Sequence, residues 1–294
     1  MSSIPTPSLV LAKELHTLDF RAGHPAVATV ASGTVARFET GDIAYERLSK
    51  GESIEAIGLE SFNRVTGPVA VEGAQPGDAI RVTILGIEIH RSWSVWLPGF
   101  GELGGKTQEI IARQIPLEGG RAVISKRISV PIEPMIGCIG TAPADGVGST
   151  FSPAYHWGGN MDLREMSPGT AVDLPVEVPG GNLSIGDHHA AMGQGEPTWV
   201  SLESAGASTV RIELIRGAGI SHPIVRREGK VCFVGQGADL ATAHQHAVDR
   251  AWDWLLAQGL EPFEAYAYAS ARMEMRLGGP ASPQVLACLP EDLS

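Results

Sequence analysis

The chain of 294 residues has only three cysteines, Cys138, Cys232 and Cys288, widely separated and odd in number. That scarcity predicts no disulfide framework and fits a reducing cytosol, with all three read as small buried apolar residues. Basic residues are also few: 22 Lys and Arg against 33 Asp and Glu leave a formal net charge of −11. Such acidity excludes wholesale binding to nucleic acid or to an anionic membrane surface. Apolar runs such as Leu9-Val10-Leu11-Ala12 fall far short of the ~20 residues that a spanning helix needs. The N-terminal Met-Ser-Ser-Ile-Pro-Thr-Pro lacks the basic-then-apolar order of a secretory signal, so a cytoplasmic location is expected. There is no Gly-x-Ser-x-Gly elbow and no Ser-Ser-Lys amidase pattern, which leaves a serine nucleophile little support.

Glycine and proline, in contrast, are plentiful, at 36 and 20. The segments between them are short, a pattern that favours strands over helices. Residues 79–89 alternate polar and apolar after a Gln75-Pro76-Gly77-Asp78 turn, with Arg81 and Thr83 on the wet face. Glu88 is out of phase with them, which predicts a bulge near Gly86. Further strands are expected over 170–176, 183–185, 199–203 and 208–215, and a hairpin turn at Gly119-Gly120. After Gly237 the character changes. Asp239 is a fitting N-cap for a helix whose stripe is Val248, Ala251, Trp252, Leu255 and Leu256; Gly259 suits its end. Pro262 opens a second helix running to about Met275, and residues 285–288 read as a closing strand. The expected architecture is mainly β with a smaller C-terminal α+β portion, divided at about 1–135, 136–220 and 221–294.

Two glycine-bordered segments gather the groups that bind metals or move protons. The first is Gly158-Gly159-Asn160-Met161-Asp162; the second runs from Gly186-Asp187-His188-His189 to Gly195-Glu196. Carboxylates and imidazole are the ligands of a borderline metal such as zinc, and a free carboxylate can shuttle a proton. Asp187 and His189 are two apart, so on an extended strand they share a face while His188 looks away. Asn160 and Asp162 obey the same rule. Trp157 is placed to wall a pocket. The Pro98–Gly105 loop lacks phosphate-cradle spacing and, with Trp93 and Trp96, reads either as a lid over an apolar slot or as packing. Arg164 and Glu165 read as a surface pair, and His244 and His246 as a solvated helix face.

These motifs resemble the acetamidase/formamidase family, whose members carry Gly-Gly-Asn-x-Asp, a Pro-Gly turn, and Gly-Asp-x-His-Ala-x-x-Gly-x-Gly-Glu. Here they stand at 158–162, 179–180 and 186–196, and residues 38–42, 66–78, 98–101 and 139–144 also fit. The resemblance implies metal-assisted hydrolysis of short carboxamides to ammonia and a carboxylic acid. It also implies β-barrel and β-sandwich-like units and a homo-oligomer, a dimer or a multiple of one. By that analogy Asp162, Asp187 and His189 are metal ligands, with zinc the expected ion. Glu196 is then base or ligand, Asn160 orients substrate, and Glu39 and Asp42 line the site. The chain departs from the family at Met192 and Gln194, where an amide and a carboxylate are usual, and at His188, where a small residue is common. These departures leave two alternatives: a homologue that binds metal or ligand without turnover or with altered specificity, and a cupin-like metal oxygenase. The adjacent histidines, with Glu196 seven residues past His189, argue against the latter.

Overall fold

The computed structural model describes residues 4–152, 154–280 and 283–293. Met1, Ser2 and Ser3, part of the N-terminal stretch considered above, lie outside them. The principal elements in chain order are β1 (Thr34–Thr40), α1 (Ile43–Ser49), α2 (Ile54–Ile57), β2 (Val65–Val71), β3 (Ala79–Trp96) and β4 (Ile111–Ile115). Then come β5 (Met135–Gly140), β6 (Gly158–Asn160), β7 (Ala171–Pro175), β8 (Leu183–His189), β9 (Leu202–Ile215), β10 (Ile224–Arg227) and β11 (Lys230–Gln236). The chain ends with α3 (Leu240–Ala257), α4 (Pro262–Arg272), β12 (Glu274–Leu277) and β13 (Gln284–Pro290). Strand accounts for 41% of the chain and helix for 16%, in one large curled antiparallel sheet, so the mainly β expectation holds.

The backbone of the sheet is the pairing of β3 with β9, which runs from Ala79 opposite Ile215 to Ser94 opposite Leu202. Its register slips twice, once between Thr209 and Val210, where Gly86 and Ile84 face them, which is the bulge expected near Gly86. Ile80, Val82 and Ile84 are fully buried while Arg81 and Thr83 are half-buried. Strand β9 also pairs with β1, and β8 pairs with β2, β5 and β9. The main core lies inside this curl and includes Phe38, Ile84, Ile136, Leu174, Leu183 and Ile185.

The C-terminal part closes as expected. Asp239 caps α3, its carboxylate accepting the Thr242 N–H at 2.7 Å. The helix lies on β11 and β13 through Ala243, Ala247, Ala251 and Leu255. Its buried stripe is therefore rotated from the expected one: Val248, Trp252 and Leu256 sit at the flank, half-buried. Trp254 meets Phe233 at 5.8 Å. The second helix stops at Arg272, because Met275 belongs to β12.

Three expectations need correction. Cys232 and Cys288 are not two separate buried thiols. The β11–β13 register sets them opposite each other, and they form a disulfide; Cys138 alone remains a buried free thiol. Arg164 and Glu165 do not pair. Arg164 reaches Glu133 at 2.9 Å, and Glu165 turns inward to Arg276 at 3.1 Å, because neighbours on an irregular chain need not share a face. Two helices, α1 and α2, stand in the N-terminal block where only strands were expected.

If the helical layer is held by this seam, Leu255→Ala should cost about 2–5 kcal/mol of unfolding free energy. Asp239→Ala should cost only about 1 kcal/mol. Denaturant unfolding followed by circular dichroism measures both.

Candidate active site

Strand β5 lies between β6 and β8, with Cys138 opposite Asn160 on one side and Ile136 opposite His188 on the other. Gly137 is in the middle of that three-strand strip. The backbone N–H groups of Met161 and Asp162 both donate to its carbonyl at 3.1 Å, which draws the end of the Gly-Gly-Asn-Met-Asp segment over β5. Asp187 and His189 project from β8 onto the same spot. His189 Nε2 lies 3.3 Å from Asp162 Oδ1 and 3.4 Å from Asp187 Oδ2. A Cβ at position 137 would sit 2.5 Å from all three of these atoms, so any residue but glycine would fill the cradle they form.

The cradle has the residues and spacing to hold a divalent ion. Ligand atoms at Zn–N and Zn–O lengths of about 2.0–2.1 Å in tetrahedral array are about 3.3–3.4 Å apart, which matches the spacing here. Asp162 Oδ1 and His189 Nε2 are buried and lack hydrogen-bond partners, an arrangement that costs free energy without a further partner. On its other edge His189 Nδ1 contacts Ser201 Oγ and lies 3.5 Å from Glu203 Oε1. A proton on Nδ1 leaves the Nε2 lone pair facing the cradle, the usual support for a ligating imidazole.

Two more carboxylates close around His189. Asp162, His189 and Glu196 bring ligand atoms within 4.8 Å of one another, as do Asp187, His189 and Glu203. Glu203 stands directly opposite His189 in the β8–β9 pairing. Its Oε2 accepts the Tyr45 hydroxyl at 2.8 Å and its Oε1 accepts the Ser201 N–H at 3.0 Å. Asn63 Nδ2 donates to Asp187 Oδ2 at 3.1 Å and to Asn160 Oδ1 at 3.0 Å, while Asn160 Nδ2 donates to the Phe151 carbonyl at 3.0 Å. Asn160 therefore ties Asn63 and the 151 loop to the site.

Burial drives the electrostatics. It pushes the carboxyls of Asp162 and Glu196 up, and Glu203 up to about 7. For His189, burial opposes protonation, but the Glu203 and Asp187 carboxylates prevail and its pKa rises. Four buried acids around one imidazole thus demand positive charge, from protons or from a cation. The backbone is strained here too. Of the six described non-glycine residues at positive φ, four line the cavity: Asp162 (44°), Asp187 (56°), Glu196 (38°) and Trp199 (63°). Such concentration is typical of functional sites.

The structure thus brings Asn160, Asp162, Asp187, His189 and Glu196 together. His188 faces away, as its parity requires; its Nδ1 meets Thr40 Oγ1 at 2.7 Å, and burial lowers its pKa to about 3. Three residues do not line the cavity. Trp157 packs with Cys138, on the face of β5 away from the Gly137 cradle, where it stacks on Tyr155 at 4.4 Å and tilts against Phe20. Glu39 alternates out of the core face of β1 and lies 3.8 Å from Arg37. Asp42 is buried but occupied by Arg91 and by Trp93 Nε1, at 2.6 Å each. Gln194 points elsewhere, its amide donating to the Leu277 carbonyl, and Met192 is part of the main core. The acid missing at 194 is therefore not missing from the cradle. Sequence reasoning did not find Gly137, Glu203, Asn63, Tyr45 or Ser201. Only Glu203 had a usable signal: it is an acid on the strand that returns beside His189.

Above the polar floor opens a cavity of about 760 Å³, its mouth included, lined by residues of α1, α2, the end of β3 and the loop after Glu196. Phe100 of the Pro98–Gly105 loop and Trp199 meet edge to face across it at 6.3 Å. Trp93 packs behind the wall, and Trp96, which is not among the lining residues, donates to the Leu103 carbonyl. Among the described residues no helix is long and apolar enough to cross a membrane.

A curled β fold with a buried acid–histidine cluster at the end of Gly-Gly-Asn-x-Asp defines one class of protein. The chain belongs to the acetamidase/formamidase family, whose model matches residues 19–152 and 144–293. The structure of an acetamidase from Bacillus halodurans is similar over 95% of this chain and 96% of its own, with a TM-score of 0.89 at 29% identity. An acetamidase from Yersinia enterocolitica gives a TM-score of 0.87 at 28% identity, over 98% and 94% of the two chains. A formamidase from Methylophilus methylotrophus is 26% identical over an alignment covering 68% of this chain and 65% of that one. The chain thus spans slightly less than two thirds of that relative's length.

Two outcomes follow from the cradle. Gly137→Ala should weaken divalent-metal binding by at least about 10–100-fold while leaving the melting temperature of the metal-free protein within a few degrees, by metal analysis and calorimetry. Metal uptake should also release protons at pH 6 to 7, because carboxyls raised by burial hold protons that the ion must displace. Affinity should therefore fall as pH drops below about 7, measured by titration calorimetry in buffers of different ionisation enthalpy.

Proposed function

We propose that this protein is a metal-dependent amidase that hydrolyses a small carboxamide to ammonia and a carboxylate. In this reading Asp162, Asp187 and His189 hold a divalent ion, zinc by preference, Glu196 moves the proton and Asn160 positions the cluster. What carries the reading is the spacing of the three donor atoms over Gly137. Family membership and the acetamidase and formamidase relatives give the reaction class.

A bound divalent ion supplies Lewis acidity for a carbonyl and lowers the pKa of water. The chain's own groups account for the remaining chemistry. Glu196 is buried beside the cradle, and burial raises its affinity for a proton. A carboxylate so tuned can accept a proton from the attacking water and return it to the departing nitrogen. The net reaction breaks the C–N bond and forms a C–O bond; one water proton completes ammonia, and the second, released as the new acid ionises to carboxylate, converts ammonia to ammonium. Tyr45 and the Ser201 N–H fix Glu203, which lies against His189 Nδ1 and holds the ring in register. Asn63 orients the Asp187 carboxylate. Phe100 and Trp199 limit access of bulk water to the floor. The proposal includes a cytosolic homo-oligomer acting on a diffusible small molecule; the net charge of −11 supports the exclusion of nucleic acid.

Chelation should abolish ammonia release from formamide, acetamide or a larger amide, and Zn²⁺ should restore it. Asp187→Ala should lose metal and activity together. Glu196→Gln should keep its metal and lose about 10²–10⁴-fold in kcat. Ammonia release that survives complete metal removal, or none from any amide with metal present, would sink the proposal.

A further inference from the structure

The cavity is chemically divided. Its floor holds the acids, His189, Asn63 and Asn160, and its wall is largely apolar, with Ser152 and the Tyr45 hydroxyl as polar groups. Leu48 comes from α1, Ile54 from α2 and Leu97 from just after β3, while Phe62, Phe100 and Trp199 complete the wall. The wall is built rather than incidental. Asp42, at the start of α1, binds Arg91 and Trp93 of β3, and Trp93 packs in one cluster with Tyr45, Leu48, Val95 and Leu97. Gly101 lies so close to Thr198 that a Cβ would sit 2.4 Å from its carbonyl oxygen, and the Glu102 N–H donates to the Pro197 carbonyl at 3.0 Å. The two loops that present Phe100 and Trp199 are therefore pinned together.

A formamide or acetamide molecule would occupy only the floor and leave this wall in contact with water. Apolar walls around a few convergent polar groups suit an organic ligand that has an apolar part as well as a polar one. The proton that completes C–N cleavage comes from the acids of the floor, so the amide nitrogen belongs there. The remaining substituent of the carbonyl carbon then points to the wall. We propose that the preferred substrate is a primary carboxamide with a bulky apolar acyl group, aromatic or alicyclic, seated between Leu48, Leu97, Phe100 and Trp199. This inference rests on the amidase reading and narrows it.

The test compares formamide, acetamide, phenylacetamide and formanilide on the zinc-loaded full chain. The kcat/KM for phenylacetamide should exceed that for acetamide by at least about tenfold, since each methylene placed in an apolar pocket is worth ~10-fold or more. In Trp199→Ala the ratio of the two kcat/KM values should fall by about tenfold. Equal or better turnover of formamide or acetamide overturns the inference and leaves the amidase reading intact. Preference for formanilide overturns it as well, because the apolar group would then sit on nitrogen. If no amide is hydrolysed the amidase reading fails, and titration calorimetry decides the inference by itself. Phenylacetamide bound at least tenfold more tightly than acetamide supports it; equal or absent binding overturns it.

Discussion

Buried negative charge, gathered over a residue with no side chain, is the constraint around which this molecule is organised. Asp162, Asp187, Glu196 and Glu203 are each at most 8% exposed and share one imidazole. Such a group of acids is costly to bury unless protons or a cation compensate it. The sheet makes the assembly possible by putting β8, which carries Asp187, and β6, which leads into Asp162, on either side of β5. It leaves the space between them free only because position 137 carries no Cβ. A rigid strip of three paired strands holds donor atoms more firmly than loops would. The strained conformations of Asp162, Asp187 and Glu196 indicate that the surrounding packing enforces the geometry.

The support behind these donors is as specific as the donors. His189 is oriented from its far side by Ser201 and Glu203, Glu203 by Tyr45, and Asp187 by Asn63. These partners come from α1, from the segment before β2 and from the return strand β9. The site is thus tied to the N-terminal block as firmly as to the central strands. Tyr45 both supports Glu203 and lines the cavity, so the acid cluster and the apolar wall share one helix.

Local physics was legible in the sequence wherever a short-range rule decides the outcome. Strand parity correctly separated Asp187 and His189 from His188. The Asp239 cap, the Pro262 helix start and the bulge near Gly86 follow from the chemistry of those residues. What stayed hidden depends on register between distant segments. Nothing near Cys232 or Cys288 announces that β11 and β13 set them opposite each other. Gly137 looks like any glycine between apolar residues until β6 and β8 are laid beside it. Asn63 and Tyr45 are ordinary in sequence and matter only through partners more than a hundred residues away. Trp157 illustrates the reverse error: its nearness to Asn160 in the chain suggested a pocket wall, but Gly158 and Gly159, at φ 110° and 102°, turn the backbone between them and Trp157 packs with Cys138, Phe20 and Val65.

The same distinction bears on the residues by which this chain departs from its family's usual motif. Gln194 lies two residues from Glu196, close enough in sequence to look like a lost ligand. Its amide nevertheless bonds to Leu277, and the donor set over Gly137 is complete without it. The change at that position therefore leaves the three atoms over Gly137 in place. Met192 is buried among the core residues, so its change from an amide is a matter of packing. On the opposite side of the cavity stands the wall that Asp42 braces through Arg91 and Trp93. Asp42 reaches the site through its neighbours: its carboxylate ties the start of α1 to β3, and both elements contribute residues to that wall.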